Sequence, residues 1–446
     1  MKFRWETEFK ETEIGEIPGV WEVGRLKDVL RSLESGNRPK GGVLAHNPNG
    51  ILNIGGENIN WDGSLELKNC LRFEENFYNN LKKGKMGTGD ILLVKDGATI
   101  GKLAYICEIS EGKAMVNEHV FLLKSDISKV DSRFLYYFLF SETGQQQIES
   151  SISGSAQGGI NKSIQDNILV FCPPLPEQSR IAIVLSWFDD LTENKKKQNE
   201  ILEKTAMAIF KSWFVDFEPF KDGEFVYNEE LGKEIPKGWA VMRIGEVADF
   251  KNGISYRGSE KFSEPHHESF IFITLNNIIE GGGFKTEYVW IKSERIKKQH
   301  LLSEGDIIFA NTEQTKTGRL LGTPAFVIFP TEYSKSDGVF SHHLTKINPK
   351  DNIMKFLLYL TFRLYQQELA QSFHTGTGEW GFDLPHFKIN YSIALPPSPI
   401  LQQFHSLVEP LFQKIILNQK QIMTLRKIRD TFLPLLVFGK LRVEEI

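Results

Sequence analysis

Two hydrophobic periods divide the chain. Short apolar or alternating runs such as DILLV (90–94), LAYICEI (103–109), FIFITL (270–275) and DIIFA (306–310) read as β-strands, and Gly-containing turns separate them. Two long stretches instead repeat every three or four residues. From Pro176 to Phe217 neither Gly nor Pro follows Pro176, and Ile181, Val184, Phe188, Leu191, Leu202, Thr205 and Ile209 mark a heptad-like seam, with polar Lys195 and Gln198 filling two of its positions. The second seam runs Phe404, Val408, Leu411, Ile415, Asn418, Ile422, Leu425 and Phe432. Helices of about 40 residues would run roughly 60 Å. Narrow stripes on two helices of equal length favour their pairing with each other. A chain that must return along the first helix favours an antiparallel pair. Asn418 and Lys195 are candidates for setting its register.

These elements come twice. GEIPGVWEVGRLKDV from Gly15 matches GKEIPKGWAVMRIGEV from Gly232. GDILLVKDGATIGK from Gly89 matches GDIIFANTEQTKTGR from Gly305. The helical SRFLYYFLF (132–140) matches MKFLLYLTF (354–362), and PPLPEQ from Pro173 matches PPSPIL from Pro396. Four landmarks in order at a nearly constant offset, close to half the chain, predict a duplicated domain rather than a short-repeat solenoid. The expected architecture is α/β (α+β): a unit over 1–174, a long helix over 175–217, a second unit over 218–398, a second long helix over 399–440 and a tail over 441–446.

Composition narrows the class. With 446 residues, 41% hydrophobic and 25% charged, the chain is globular and long enough for two or three cores. Cys70, Cys107 and Cys172 are too far apart for a CxxC site and fit a reduced, cytoplasmic setting. The opening MKFRWETEFKETEIGEIP has no apolar core like that of a signal peptide, and the runs FLYYFLF (134–140) and FLPLLVF (432–438) are far shorter than the ~20 residues of a membrane span.

Catalytic signatures are missing. Gly97-Ala-Thr-Ile-Gly101-Lys102 is one residue short of a phosphate-binding loop, lacks the following Ser or Thr and lies in β-rich sequence. GKMGTGD (84–90) lacks the dinucleotide spacing, no GxSxG or HExxH occurs, and no Pro-Pro-aromatic cluster of an amino-methyltransferase is present. The pairs His266-His267 and His342-His343 are sequence neighbours, which face different ways and make poor metal ligands. No metal, cofactor or catalytic residue is expected in this chain.

What remains is a set of polar loops at corresponding places in both halves, rich in residue types that hold phosphates or read base edges. In the first half the candidates are Asn37, Arg38, Lys40, Asn58, Lys82, Lys83, Lys85, Lys95, Thr99, Gln157 and Asn161. In the second they are Asn252, Tyr256, Arg257, Asn276, Asn277, Lys297, Lys298, Asn311, Gln314, Lys316, Arg319, Thr375, Thr377 and Trp380.

TEIGEIPGVWEVGRLKDV (12–29), GDILLVKDGATIGK (89–102) and PPLPEQSRIAIVLSWFDDL (173–191), with the weaker second copy of each, make the chain resemble the specificity subunit of type I restriction–modification systems over nearly its whole length. The resemblance implies two target-recognition domains, each reading half of a bipartite DNA site, on an antiparallel coiled-coil spacer. It implies docking of two adenine-N6 methyltransferase subunits and of ATP-driven restriction subunits, which would hold S-adenosylmethionine, ATP and Mg. It implies a chain that is not itself an enzyme. Different loops in the two halves imply an asymmetric site, and a ~60 Å spacer at about 3.4 Å per base pair bounds the separation at under about 18 base pairs. Departures are the second junction, PPSPILQQF, which lacks the Glu-Gln pair, and the longer NTEQTKTGR loop. The family supplies no fixed list of base-reading residues, so the candidates stand on loop chemistry and placement. A coiled-coil protein scaffold and a fused methyltransferase or nuclease are the other readings; S-adenosylmethionine binding by the isolated chain would favour the last.

The net charge of -4 adds a constraint. Residues 1–174 and 218–398 each hold 20 Lys+Arg against 23 Asp+Glu, whereas residues 399–440 hold 6 against 2. Neither recognition unit is a generic polycation, so the chain alone should bind DNA poorly in a filter or gel-shift titration. Tight, salt-sensitive binding without partners would contradict this.

Overall fold

The computed structural model describes residues 1–446 apart from 43–45, 68–69, 110, 155–157, 314–316, 334 and 336. It divides into two units, one of residues 1–190 with 426–446 and one of residues 191–425. Each is built around the same antiparallel four-stranded sheet. In the first unit the order is Leu30–Ser35, Val120–Ser125, Ile91–Val94, Leu103–Tyr105; in the second it is Ala248–Asn252, Leu344–Pro349, Ile307–Ala310, Pro324–Phe326. A second sheet repeats as well. Ala114–Val116 lies parallel to Ile51–Ile54, which pairs antiparallel with Leu71–Phe73. Asp337–Phe340, Phe270–Ile273 and Val289–Ile291 match them, flanked in the second unit by Lys261–Phe262 and Leu301–Ser303.

The apolar runs of the central strands follow from burial on both faces. Ile91 and Leu93 point into a core with Phe134, Phe138 and Trp21, while Leu92 and Val94 point the other way, against Leu52, Ile54 and Val116. Ile307 and Phe309 likewise face Phe362 and Phe387, and Ile308 and Ala310 face Ile271 and Phe340.

The Gly-Asp that opens these strands has a physical reason. Gly89 and Gly305 adopt left-handed backbone at φ 88° and 78°, open to glycine at little cost. The next residue closes the turn. Asp90 accepts from the Gly87 N–H and Asp306 from the Ser303 N–H, each at 2.7 Å, and each pairs at 2.6 Å with a lysine of the neighbouring strand, Lys124 or Lys346.

The long helices span Leu175–Phe214 and Ser398–Val437. Both stop three residues before the ends expected at 217 and 440: Phe217 turns left-handed at φ 52° with Pro219 beyond it, and Gly439 does the same at φ 66°. They run antiparallel within each unit. In the first, Arg429 bonds Asp189 at 2.8 Å and the Phe188 and Phe432 rings lie 6.2 Å apart. In the second, Asn418 donates to Asn199 at 2.9 Å and Phe404 packs edge-on to Phe214 at 4.7 Å.

On the second helix Phe404, Val408, Asn418 and Ile422 are buried, whereas Leu411, Ile415, Leu425 and Phe432 are only partly so, with Phe412 and Leu433 buried one residue later. On the first helix Ile181 and Val184 are buried and Phe188, Leu202 and Ile209 partly so. Leu191, however, is 50% exposed and Thr205 is exposed. From there the true stripe lies one residue later, at Thr192, Asn199, Ala206 and Phe210. The seam is small and polar where it meets buried Asn418, so hydrophobicity alone points to the wrong face. Lys195 is only half-buried, and the polar pair that fixes the register is Asn199–Asn418.

In the first unit Lys2–Trp5 pairs antiparallel with Leu441–Glu445, and Arg442 bonds both Glu6 and Glu177, the latter also accepting from the Trp21 indole at 3.1 Å. Burial pushes the Glu6 carboxyl up, but the Thr7 and Glu8 N–H groups and Arg442 outweigh it and hold its pKa down at about 2. None of the three cysteines is in a disulfide. Among the described residues no helix is long and apolar enough to cross a membrane.

Replacing Lys124 with Met leaves the Asp90 carboxylate buried without its counter-charge. The loss is expected at about 3 kcal/mol, read by calorimetry as a drop of several degrees in the unfolding of the first unit.

Candidate nucleic-acid interface

Five loops meet at one end of the sheets in the first unit, and backbone bonds hold them together. Gly36 follows the strand Leu30–Ser35 and donates to Asn117 O at 3.2 Å. Asn117 donates to Ile54 O at 2.9 Å, where the turn Gly55–Asn58 begins. Lys95 follows the GDI strand and donates to His119 O at 3.0 Å, and Ile160 donates to Lys95 O at 2.7 Å. The approach is close enough that a Cβ on Gly36 would lie 1.7 Å from the Val116 carbonyl oxygen. The second unit repeats three of these bonds at equivalent residues: Ser341 donates to Ile273 O (3.0 Å), Asn311 to His343 O (3.0 Å) and Phe382 to Asn311 O (2.8 Å), while the first strand end is tied one residue along, by Ile254 to Phe340 O (2.8 Å). Gly253 takes the place of Gly36, with a Cβ there 2.2 Å from Phe340 O.

The side chains on these two ends differ. The first carries a chain of ionisable side chains. Arg38 lies 3.5 Å from Glu118, Glu118 3.4 Å from His119 Nε2, His119 Nδ1 2.5 Å from Asp96, and Asp96 3.0 Å from Lys95. The second is mostly uncharged and aromatic. Asn311 Nδ2 donates to His342 O (3.0 Å) and to the Thr345 hydroxyl (2.9 Å), and that hydroxyl donates to Asn252 (2.7 Å). Thr312 Oγ1 meets His343 Nδ1 at 2.9 Å, Tyr256 packs edge-on to Phe272, and His374 stacks on Trp380 at 4.0 Å on the hairpin His374–Thr375/Trp380–Phe382. Burial, with His342 beside it, lowers the His343 pKa and favours the neutral ring. Asn311 Oδ1, Ser341 Oγ and His342 Nδ1 are buried and find no hydrogen-bond partner among the described residues.

Many of the expected residues come to these ends. Asn37, Arg38, Lys40 and Asn161 are exposed there, Lys95 is half-buried, and Thr99 lies against Gly56, whose Cβ would be 3.3 Å from its hydroxyl. The turn of Lys82 and Lys83, both exposed, flanks the same end through Gly84, while Lys85 turns back over Tyr78 to bond Asn79 O at 3.1 Å. In the second unit Asn252, Arg257, Asn276, Thr375 and Thr377 are exposed and Tyr256, Asn311 and Trp380 partly buried. Lys297 and Lys298 are exposed, and their turn packs on Ala248–Asn252. Arg319 leaves the group to pair with Glu280 at 3.7 Å. Gln157, Gln314 and Lys316 lie outside the described residues.

Asn58 and Asn277 require correction. Both are buried, at 4% and 1% exposure, and both are spent inside the fold. Asn58 accepts from the Gly55 N–H and donates to Glu66 O; Asn277 accepts from the Thr274 N–H and donates to Lys285 O and Glu287 O. They are turn-formers at one repeated position. Conversely, the sequence reading missed Glu118, His119, His343 and His374. The signal available was NEHV (117–120) matching SHHL (341–344) just before the strand beside GDI. Among the described residues no group of three or more His, Cys, Asp or Glu is placed to hold a metal ion.

Known proteins share this arrangement. The model of the type I restriction modification DNA specificity domain matches residues 18–204 and again 236–427. The chain belongs to that family. Its curated relatives include the type I restriction enzyme MjaIX specificity subunit of Methanocaldococcus jannaschii, 37% identical over 461 residues with 100% of this chain and 99% of that protein covered. The MjaVIII specificity subunit of the same organism is 25% identical, with the same coverage. The fold is similar to the crystal structure of a type I S subunit from M. genitalium, with a TM-score of 0.52 at 18% identity, covering 93% of this chain and 96% of that one. The chain is therefore a specificity subunit with two DNA-recognition domains, and not itself an enzyme.

Within this specificity subunit, Asn277→Ala removes the partner of one buried N–H, that of Thr274, and of the Lys285 and Glu287 carbonyls. It should cost about 2–3 kcal/mol in chemical denaturation without altering which bases are preferred.

Proposed function

We propose that each unit reads one half of a bipartite, asymmetric DNA site through its five-loop end. The long helices set the gap between the halves and dock the methyltransferase subunits. The observation that carries this reading is the recurrence of one loop scaffold, with three backbone bonds at equivalent residues, under two different sets of side chains. Shared backbone keeps the mode of approach the same, and different side chains select different bases. Exposed apolar side chains on the helices, Ile183 and Trp187 in the first unit and Leu407 and Leu417 in the second, offer anchors for partner helices. Flipping and N6-methylation of the adenine fall to those partners, as do S-adenosylmethionine, ATP, Mg and, where restriction subunits join, cleavage. The same reading places the complex in the cytoplasm, with the DNA it acts on.

The test is co-expression with the cognate methyltransferase subunits and genome-wide mapping of N6-methyladenine. Methylation should fall on one split, non-palindromic sequence; marks without sequence preference would sink the reading. Inserting seven residues into each helix should change the length of the gap and leave both half-sequences as they are.

A further inference from the structure

We propose that His119 and His343 are specificity-determining residues at one equivalent position of the two reading ends, and that the group facing Nδ1, Asp96 in one and Thr312 in the other, sets what each imidazole presents to a base edge. The proposal rests on the DNA-reading role above and names the residues that would exercise it.

Each histidine is the last residue before the strand next to GDI, Val120–Ser125 or Leu344–Pro349. Each carbonyl accepts from the residue that ends the GDI strand, Lys95 or Asn311, at 3.0 Å in both units. Each ring turns Nδ1 to the following residue, Asp96 at 2.5 Å or Thr312 at 2.9 Å. Identical placement in two copies that share little side-chain chemistry is what a common scaffold with exchangeable readers requires.

The neighbours differ in kind. A carboxylate can only accept, so Asp96 makes Nδ1 of His119 a donor, while Nε2 faces a second carboxylate, Glu118 at 3.4 Å, with Arg38 beyond it. A hydroxyl both donates and accepts, so Thr312 leaves the His343 tautomer free to follow the partner it meets. The neighbouring His342, which Asn311 and Tyr256 contact, lies with its ring 3.9 Å from that of His343, and Glu379 adds an acidic charge. The ligand class is the same in both units, a base edge carrying exocyclic amino, ring-nitrogen and carbonyl groups in the major groove. The first unit meets it with a locked, charge-flanked imidazole and the second with an adaptable one.

The test is the reciprocal exchange Asp96→Thr and Thr312→Asp, with His119→Gln and His343→Gln beside them, in the full complex with methyltransferase subunits. It is read by N6-methyladenine mapping, with thermal unfolding as the check on folding. Each variant is expected to relax or switch preference at one base position of one half-site, weakening discrimination there roughly tenfold or more. The other half and the gap stay as in the unaltered complex. Undiminished selectivity in folded variants overturns the proposal. So does a uniform loss over every position of the half-site, which marks a phosphate contact. Should an exchange variant unfold, the Gln variant of the same unit decides by the same readout. If the unaltered complex leaves no split methylated sequence, the DNA-reading function itself fails, and that outcome is distinct from the failure of these two residues.

Discussion

The reading ends exist because two backbones are allowed to touch. Gly36 lies so near the Val116 carbonyl, and Gly253 so near that of Phe340, that any side chain there would drive the strand ends apart. With glycine in place, five loops from two sheets share one patch, and the bonds from Lys95 to His119 and from Asn311 to His343 tie the GDI strand into it. The contact is steric and local, yet without it Arg38, Asp96 and His119 would sit on separate loops. The exposed patch can vary because what holds it is backbone and buried.

Below that patch the load is carried by repeated, invisible devices. Asp90 with Lys124 and Asp306 with Lys346 brace the same strand pair in each unit, and Asn58 and Asn277 brace the same turn. Duplication therefore separates two kinds of residue. Those that recur with the same partners serve the scaffold. Those that recur in place but with different partners, such as Asp96 against Thr312, are free to carry the difference between the two domains.

Much of this was legible in the chain. The apolar GDI strands, the doubled landmarks and the two long helices each depend on local pattern, and local pattern is what a sequence displays. The failures are equally physical. Leu191 and Thr205 fit the seam spacing but face outward, because the helix interface around Asn199 and Asn418 is polar and narrow. Asn58 and Asn277 have the composition of a binding loop, and only their burial reveals that their amides are used up at home. His119 stands alone in its loop and His343 reads only as half of a poor metal-binding pair with His342, and nothing short of the folded structure brings Asp96 and Thr312 to the same nitrogen.

The pairing of Lys2–Trp5 with Leu441–Glu445 bears on how the molecule is made. The second unit is one continuous segment, residues 191–425, while the first is assembled from 1–190 and 426–446. A ribosome delivers every residue of the second unit before it delivers the strand that completes the first. During synthesis residues 1–190 must wait with an unpaired edge and an uncovered Trp21, a loop closure of more than two hundred residues away from their partner. The domain begun first is thus the domain finished last, and the Arg442 bonds to Glu6 and Glu177 are the latch that closes it.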